Sequence, residues 1–96
     1  MAHVIYSLKA LTDVERLTDF LQEENPIAAA ETVNLITEAV KILVNHPLIG
    51  RPAEQGLKEL VISRGKSGYL ALYSYEPDHD TALVLSVRHQ REAGYI

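Results

Sequence analysis

Residues 68–92, GYLALYSYEPDHDTALVLSVRHQRE, decide how the rest of the chain must be arranged. Two β-rich runs, 69–75 and 81–88, flank EPDHD, a turn composition that predicts a hairpin. KELVIS (58–63), joined to the first run through RGKSG, adds a third strand, so the C-terminal half reads as a three-stranded antiparallel meander. Strict alternation puts Tyr69, Ala71, Tyr73 and Tyr75 on one face, with Leu70, Leu72 and Ser74 on the other. It likewise opposes Leu83, Leu85 and Val87 to Ala82, Val84 and Ser86. Both faces are largely apolar, and such a sheet needs cover on both sides.

The N-terminal half supplies cover for one face. AHVIYSL (2–8) favours a short strand. From Ala10 the apolar residues Ala10, Leu11, Val14, Leu17, Phe20 and Leu21 recur at helical spacing, which predicts a helix with Asp13, Glu15, Arg16, Asp19 and Glu23 on its solvated side. This helix should stop at ENP, where Asn25 caps the next helix and Pro26 takes its first position. The second helix runs to about Asn45 on a seam of Val33, Ile36, Val40 and Leu43, and the short connection makes the pair an antiparallel hairpin. PLIGRPAEQG (47–56) is a loop by its two prolines and two glycines.

The expected fold is therefore a single α+β domain over residues 1–96: an N-terminal strand, an antiparallel helical hairpin and the meander, about four strands in all, with the helices on one sheet face. The opposite face is short of cover. Exposed apolar sheet surface in a small protein marks a partner site, unless twist and solvent-tolerant tyrosines hide it or the chain pairs with itself as a homodimer.

Bulk composition narrows the chemistry. The 96 residues carry a net charge of −4, and residues 1–50 hold three Lys/Arg against seven Asp/Glu while residues 51–96 hold six of each. A protein that lives by gripping nucleic acid usually has a strongly basic balance, which is missing here. With no cysteine and four scattered histidines, no disulfide or metal site is expected. No apolar stretch approaches a membrane span and no secretory leader is visible, so a cytoplasmic location without membrane contact is the expectation.

Taken in order, NPIAAAETVNLI (25–36), HPLIGRP (46–52), LKELVIS (57–63) and the closing hairpin with its Val87-x-His89-x-Arg91 segment resemble the RelE/ParE superfamily of bacterial toxin–antitoxin modules over essentially the whole chain. The resemblance implies the RelE/ParE fold and a toxin without cofactor. Its cognate antitoxin would lay an extended or helical segment along an apolar groove, in a system that stabilises plasmids or arrests growth. Free, the chain would be a monomer or homodimer; with antitoxin, a heterotetramer is among the assemblies implied.

Two chemistries share this scaffold, and fold does not choose between them. A RelE-like ribosome-dependent endoribonuclease, acting on the ribosome and mRNA, would draw on Arg64, Arg88, His89, Arg91 and Tyr95, with His89 as base or acid, Arg88 and Arg91 as phosphate clamps, and Tyr95 to stack or donate a proton. A ParE-like protein would instead inhibit DNA gyrase by contact, with Arg51, Tyr69, Tyr73, Arg88, Arg91 and Tyr95 as candidate contacts for target or antitoxin. The second is favoured, because adjacent Arg88 and His89 lie on opposite faces of a regular strand, the central strands are poor in cations, and net acidity opposes docking to a ribosome. Arg88 and Arg91 pairing with Glu59 or Glu92 as ordinary ion pairs, and Arg51 as a loop staple, remain the plain alternatives. A scaffold that binds antitoxin without toxicity is a third reading.

Overall fold

The computed structural model describes residues 1–64 and 67–95, with backbone alone at 63, 64 and 67. The chain runs β1 (His3–Tyr6), α1 (Leu8–Glu24), α2 (Pro26–Val40), a 3₁₀ turn (Lys41–Val44), β2 (Arg51–Pro52), β3 (Lys58–Arg64), β4 (Ser67–Glu76) and β5 (Thr81–His89). The sheet order is β1-β5-β4-β3-β2, with β1 parallel to β5 and the other neighbours antiparallel. The expected α+β architecture is present, with one addition: two residues of the predicted loop pair with β3 as β2. The RGKSG turn lies partly outside the described residues.

Local chemistry sets the helix ends. Ser7 caps α1, its hydroxyl accepting the Ala10 amide at 3.0 Å while donating to the Leu85 carbonyl at 3.0 Å. Asn25 serves both helices. Its amide donates to the Leu21 carbonyl at 2.6 Å, and its side chain accepts the Ala28 amide at 3.1 Å, with Pro26 opening α2. The second helix is α-helical only to Val40 and tightens into the 3₁₀ turn, which carries Leu43 into the core beneath Ile36 and Val40.

The core lies between the hairpin and one sheet face: Leu60 and Ile62 of β3, Tyr69, Ala71 and Tyr73 of β4, and Ala82, Val84 and Val87 of β5. The β5 set departs from simple alternation. Leu72 pairs with Ser86 but Tyr73 with Val84, so Leu85 is an extra residue, a β-bulge. Beyond it every side chain changes face, and Val87 joins Ala82 and Val84 rather than opposing them.

Helix α1 also differs from its predicted face. Asp13, expected in solvent, is only 4% exposed, while Phe20 is 70% exposed and Leu11 about half. The free edge of β5, described below, accounts for the burial of Asp13. On the far side of the sheet Ile5 and Val61 remain half-exposed, and the residues after β5 cross part of that face.

Tyr73, expected as a surface contact, is fully buried in the core. Its hydroxyl donates to the Pro47 carbonyl at 2.8 Å and accepts the Gly50 amide at 2.9 Å, stapling the loop before β2 to the sheet. A Cβ on Gly50 would stand 2.6 Å from that ring and hydroxyl, so the approach requires glycine. Tyr73→Phe strands a buried donor and acceptor and should cost about 1–3 kcal/mol. Gly50→Ala should cost at least as much; urea unfolding measures both, and a Tyr73→Phe protein as stable as wild type would contradict the staple.

Candidate functional site

The site is built on the end of β5. Strand β1 stops at Tyr6, opposite Val84, yet β5 continues to His89, which leaves the outward amides of Val87 and His89 on an open sheet edge. Two carboxylates close it. Asp13 Oδ2 on α1 accepts the Val87 amide at 3.0 Å and the Ser86 hydroxyl at 2.6 Å, and Lys9 Nζ sits 2.9 Å away. Glu92 Oε1 accepts the His89 amide at 2.9 Å while its other oxygen takes Arg16 Nη1 at 2.7 Å. Burial pushes the Asp13 carboxyl up, but the hydrogen bonds from Ser86, Lys9 and Val87 outweigh it and hold the group below the usual carboxylate range. Glu92 is shifted the same way: burial opposes, and the His89 amide with Arg16 prevails.

With the strand end fixed, Arg88 and His89 face apart. Arg88 lies on the open face, where Nη1 donates to the Glu92 carbonyl at 2.6 Å and the guanidinium stands 5.1 Å from the centre of the Tyr95 ring. Its Nε is buried without a partner. Tyr95 donates its hydroxyl to Glu59 Oε2 at 2.5 Å, and Arg51 Nε binds the other Glu59 oxygen at 2.8 Å. Burial and the neighbouring carboxylate drive the Tyr95 phenol far above its ordinary value, while the phenol and Arg51 hold Glu59 low against its own burial.

His89 lies on the helix side, edge-on to Tyr69 with ring centres 5.2 Å apart. Its Nδ1 accepts the Arg91 amide at 3.1 Å. His89 and Tyr69 border a groove of about 500 Å³ at the hairpin tip, walled by Leu17, Phe20, Leu21 and Ala28.

The candidate residues thus separate into two groups: Arg51, Arg88 and Tyr95 around Glu59 on the open face, and Tyr69 with His89 at the groove. Tyr73 belongs to neither, the Arg91 side chain is exposed, and the Arg64 side chain lies outside the described residues. Arg51 staples strands through Glu59 rather than loop carbonyls. Sequence reasoning missed Asp13, and the signal was present: Lys9 and Arg16 bracket it at helical spacing, converging on one carboxylate. Among the described residues no group of three or more His, Asp or Glu is placed to hold a metal, and no helix is long and apolar enough to cross a membrane.

Residues 4–94 match the family model described as the ParE toxin of the type II toxin–antitoxin system parDE. The chain belongs to the ParE toxin family. This ParE-family toxin is 31% identical to Toxin RelE3 of Caulobacter vibrioides over 84 residues, covering 88% of this chain and 89% of the relative. Among solved structures it resembles a chain of the chromosomal ParDE system from P. aeruginosa, with TM-score 0.75, 25% identity and coverage of 93% and 96% of the two chains. It also resembles a chain of the RelBE2 toxin–antitoxin complex from Mycobacterium tuberculosis, with TM-score 0.59, 26% identity and coverage of 93% and 98%.

The carboxylates of this ParE-family toxin carry a pH signature. Groups held low in the folded state stabilise it above their unfolded values, about pH 4, and that contribution disappears as pH falls through the folded values. The urea midpoint should therefore stay level from pH 7 to about 5 and drop below pH 4. Asp13→Ala, which leaves the Val87 amide without its acceptor, should lose about 1–3 kcal/mol at pH 7. It should also show a shallower acid decline than wild type; an unchanged acid slope would contradict the role given to Asp13.

Proposed function

We propose that this toxin acts by binding DNA gyrase, and that its antitoxin holds it inactive by seating apolar side chains in the groove at the hairpin tip. The observation that carries the first half is the separation of Arg88 from His89. Cleavage of RNA through its 2′-hydroxyl needs a base, cations on the phosphoryl oxygens and an acid for the leaving oxygen at one place. Here the cation and the imidazole are on opposite faces. One imidazole nitrogen already holds the Arg91 amide, and the phenol is committed to Glu59. The higher structural likeness to the ParDE toxin than to the RelBE2 toxin, at nearly equal identity, supports the same side.

For the antitoxin half, the groove offers Phe20 as an exposed wall, with Ile27 exposed beside the hairpin connection, and apolar grooves of this kind receive peptide anchors. The solved relatives are themselves toxin–antitoxin complexes. The endoribonuclease reading retains one specific support, the RelE name of a curated relative together with His89 bordering an open groove.

Purified toxin should inhibit supercoiling by gyrase and be relieved by its antitoxin, while translating ribosomes given the toxin should show no new mRNA ends. A-site cuts abolished by His89→Ala would install the ribonuclease instead, and normal growth on overexpression without antitoxin would point to the non-toxic scaffold. Phe20→Asp should weaken antitoxin binding by at least about tenfold with little loss of fold stability, as expected for a largely exposed anchor wall.

A further inference from the structure

Gln90 still pairs with β4, its amide donating to the Gly68 carbonyl at 2.9 Å, and residues 91–95 then turn back from β5 across the open sheet face. Among the described residues, the last backbone hydrogen bond in this direction is from the Glu92 amide to the His89 carbonyl at 3.0 Å. Side chains fasten the rest. Glu92 binds the His89 amide and Arg16 at one end, and Tyr95 binds Glu59 at the other. Arg88 lies between, donating to the Glu92 carbonyl with one nitrogen while its guanidinium sits 5.1 Å from the centre of the Tyr95 ring.

Beside the far end of the segment is a hollow of about 480 Å³, bordered by Pro52, Leu57, Glu59, Leu72, Gly94 and Tyr95. The segment bridges space there instead of filling it. Arg88 Nε is meanwhile shut away from both water and acceptors, a cost that is relieved whenever the cover lifts. Gly94 has φ +155°, a backbone region open to glycine, and supplies the bend that brings Tyr95 down onto Glu59.

We propose that residues 91–95 are a strap, latched by Glu92 and by Tyr95 on Glu59, that lifts as one unit to uncover Arg88 and Leu72 on the open sheet face. Segments held by a few side-chain bonds over little packed apolar surface open at a fraction of the free energy of global unfolding. A partner that engages Arg88 must first displace the Tyr95 ring. That consequence rests on the reading of Arg88 as a contact residue, whereas the strap itself stands whatever the target.

Backbone amide hydrogen exchange on the full-length chain, followed by NMR, tests the strap without reference to gyrase or antitoxin. The His89 amide reports the Glu92 latch, and the Val87 amide, held by Asp13, reports the sheet edge that should stay closed. Tyr95→Phe removes one hydroxyl at the opposite end of the strap, and Gly94→Ala disfavours the bend by a different route. Both should speed exchange at His89 by about tenfold or more and leave Val87 unchanged. Unchanged exchange at His89 in both variants would show that the two latches are independent and overturn the proposal. Equal acceleration at Val87 would also overturn it, since the opening would then be that of the whole sheet edge.

Discussion

A four-residue β1 beside a nine-residue β5 leaves the sheet with an unpaired edge in its interior, and the fold is arranged around closing it. An unsatisfied amide at a buried edge costs on the order of 1–3 kcal/mol, a large part of what a chain of this size has to spare. Asp13 and Glu92 meet that need from two directions, one from the first turns of α1 and one from the residues after β5. Because Asp13 must face the strand, α1 is turned so that Lys9 and Arg16 flank the edge and Leu11, on the opposite side of the helix, faces solvent. The Leu85 bulge belongs to the same arrangement: Ser7 at the start of α1 bonds the Leu85 carbonyl, and Ser86 next to it bonds Asp13.

The chemistry of the closing segment follows from that edge. Once the Val87 and His89 amides point to carboxylates, the intervening Arg88 has its amide on the β4 side and its guanidinium on the open face. The cation is then offered to Tyr95 and Glu59, and the imidazole to Tyr69 and the hairpin. Residues adjacent in sequence and similar in chemical promise are therefore divided between two surfaces. The proposed recognition role accommodates this division, because each surface can serve a different partner.

Much of the architecture was legible because it rests on local rules. The alternation in 69–75, the Asn25–Pro26 junction and the helical seam through Ile36 and Val40 each need only neighbours a few residues away, and each forms as read. The misreadings share a different origin. Asp13 is buried by a partner 74 positions away, Tyr73 is withdrawn from the surface by carbonyl and amide groups of a loop more than twenty residues earlier, and Val87 changes face through a bulge that the alternating apolar pattern does not mark. The paired signals were present in part: a carboxylate bracketed by Lys9 and Arg16, and a glycine in the loop that Tyr73 reaches. Neither names its distant partner. In the closing segment the sequence offered Glu59 and Glu92 as partners for its arginines, but not that Glu59 would bind Arg51 and the Tyr95 phenol while Glu92 binds Arg16.

The hairpin ends up with two duties that compete for the same apolar side chains. Asp13 is drawn in against β5 from what the helical pattern reads as the solvated side, while Phe20, a turn from the end of α1, stays 70% exposed. Full burial of such a side chain is worth roughly 1.5–3 kcal/mol, so the free chain forgoes that amount by leaving the ring outside. The same ring forms a wall of the groove beside Tyr69 and His89, where a partner's apolar side chain would recover the forgone burial on binding. Stability lost at the tip thus reappears as affinity, and a bound partner stabilises the fold in proportion to how tightly it binds.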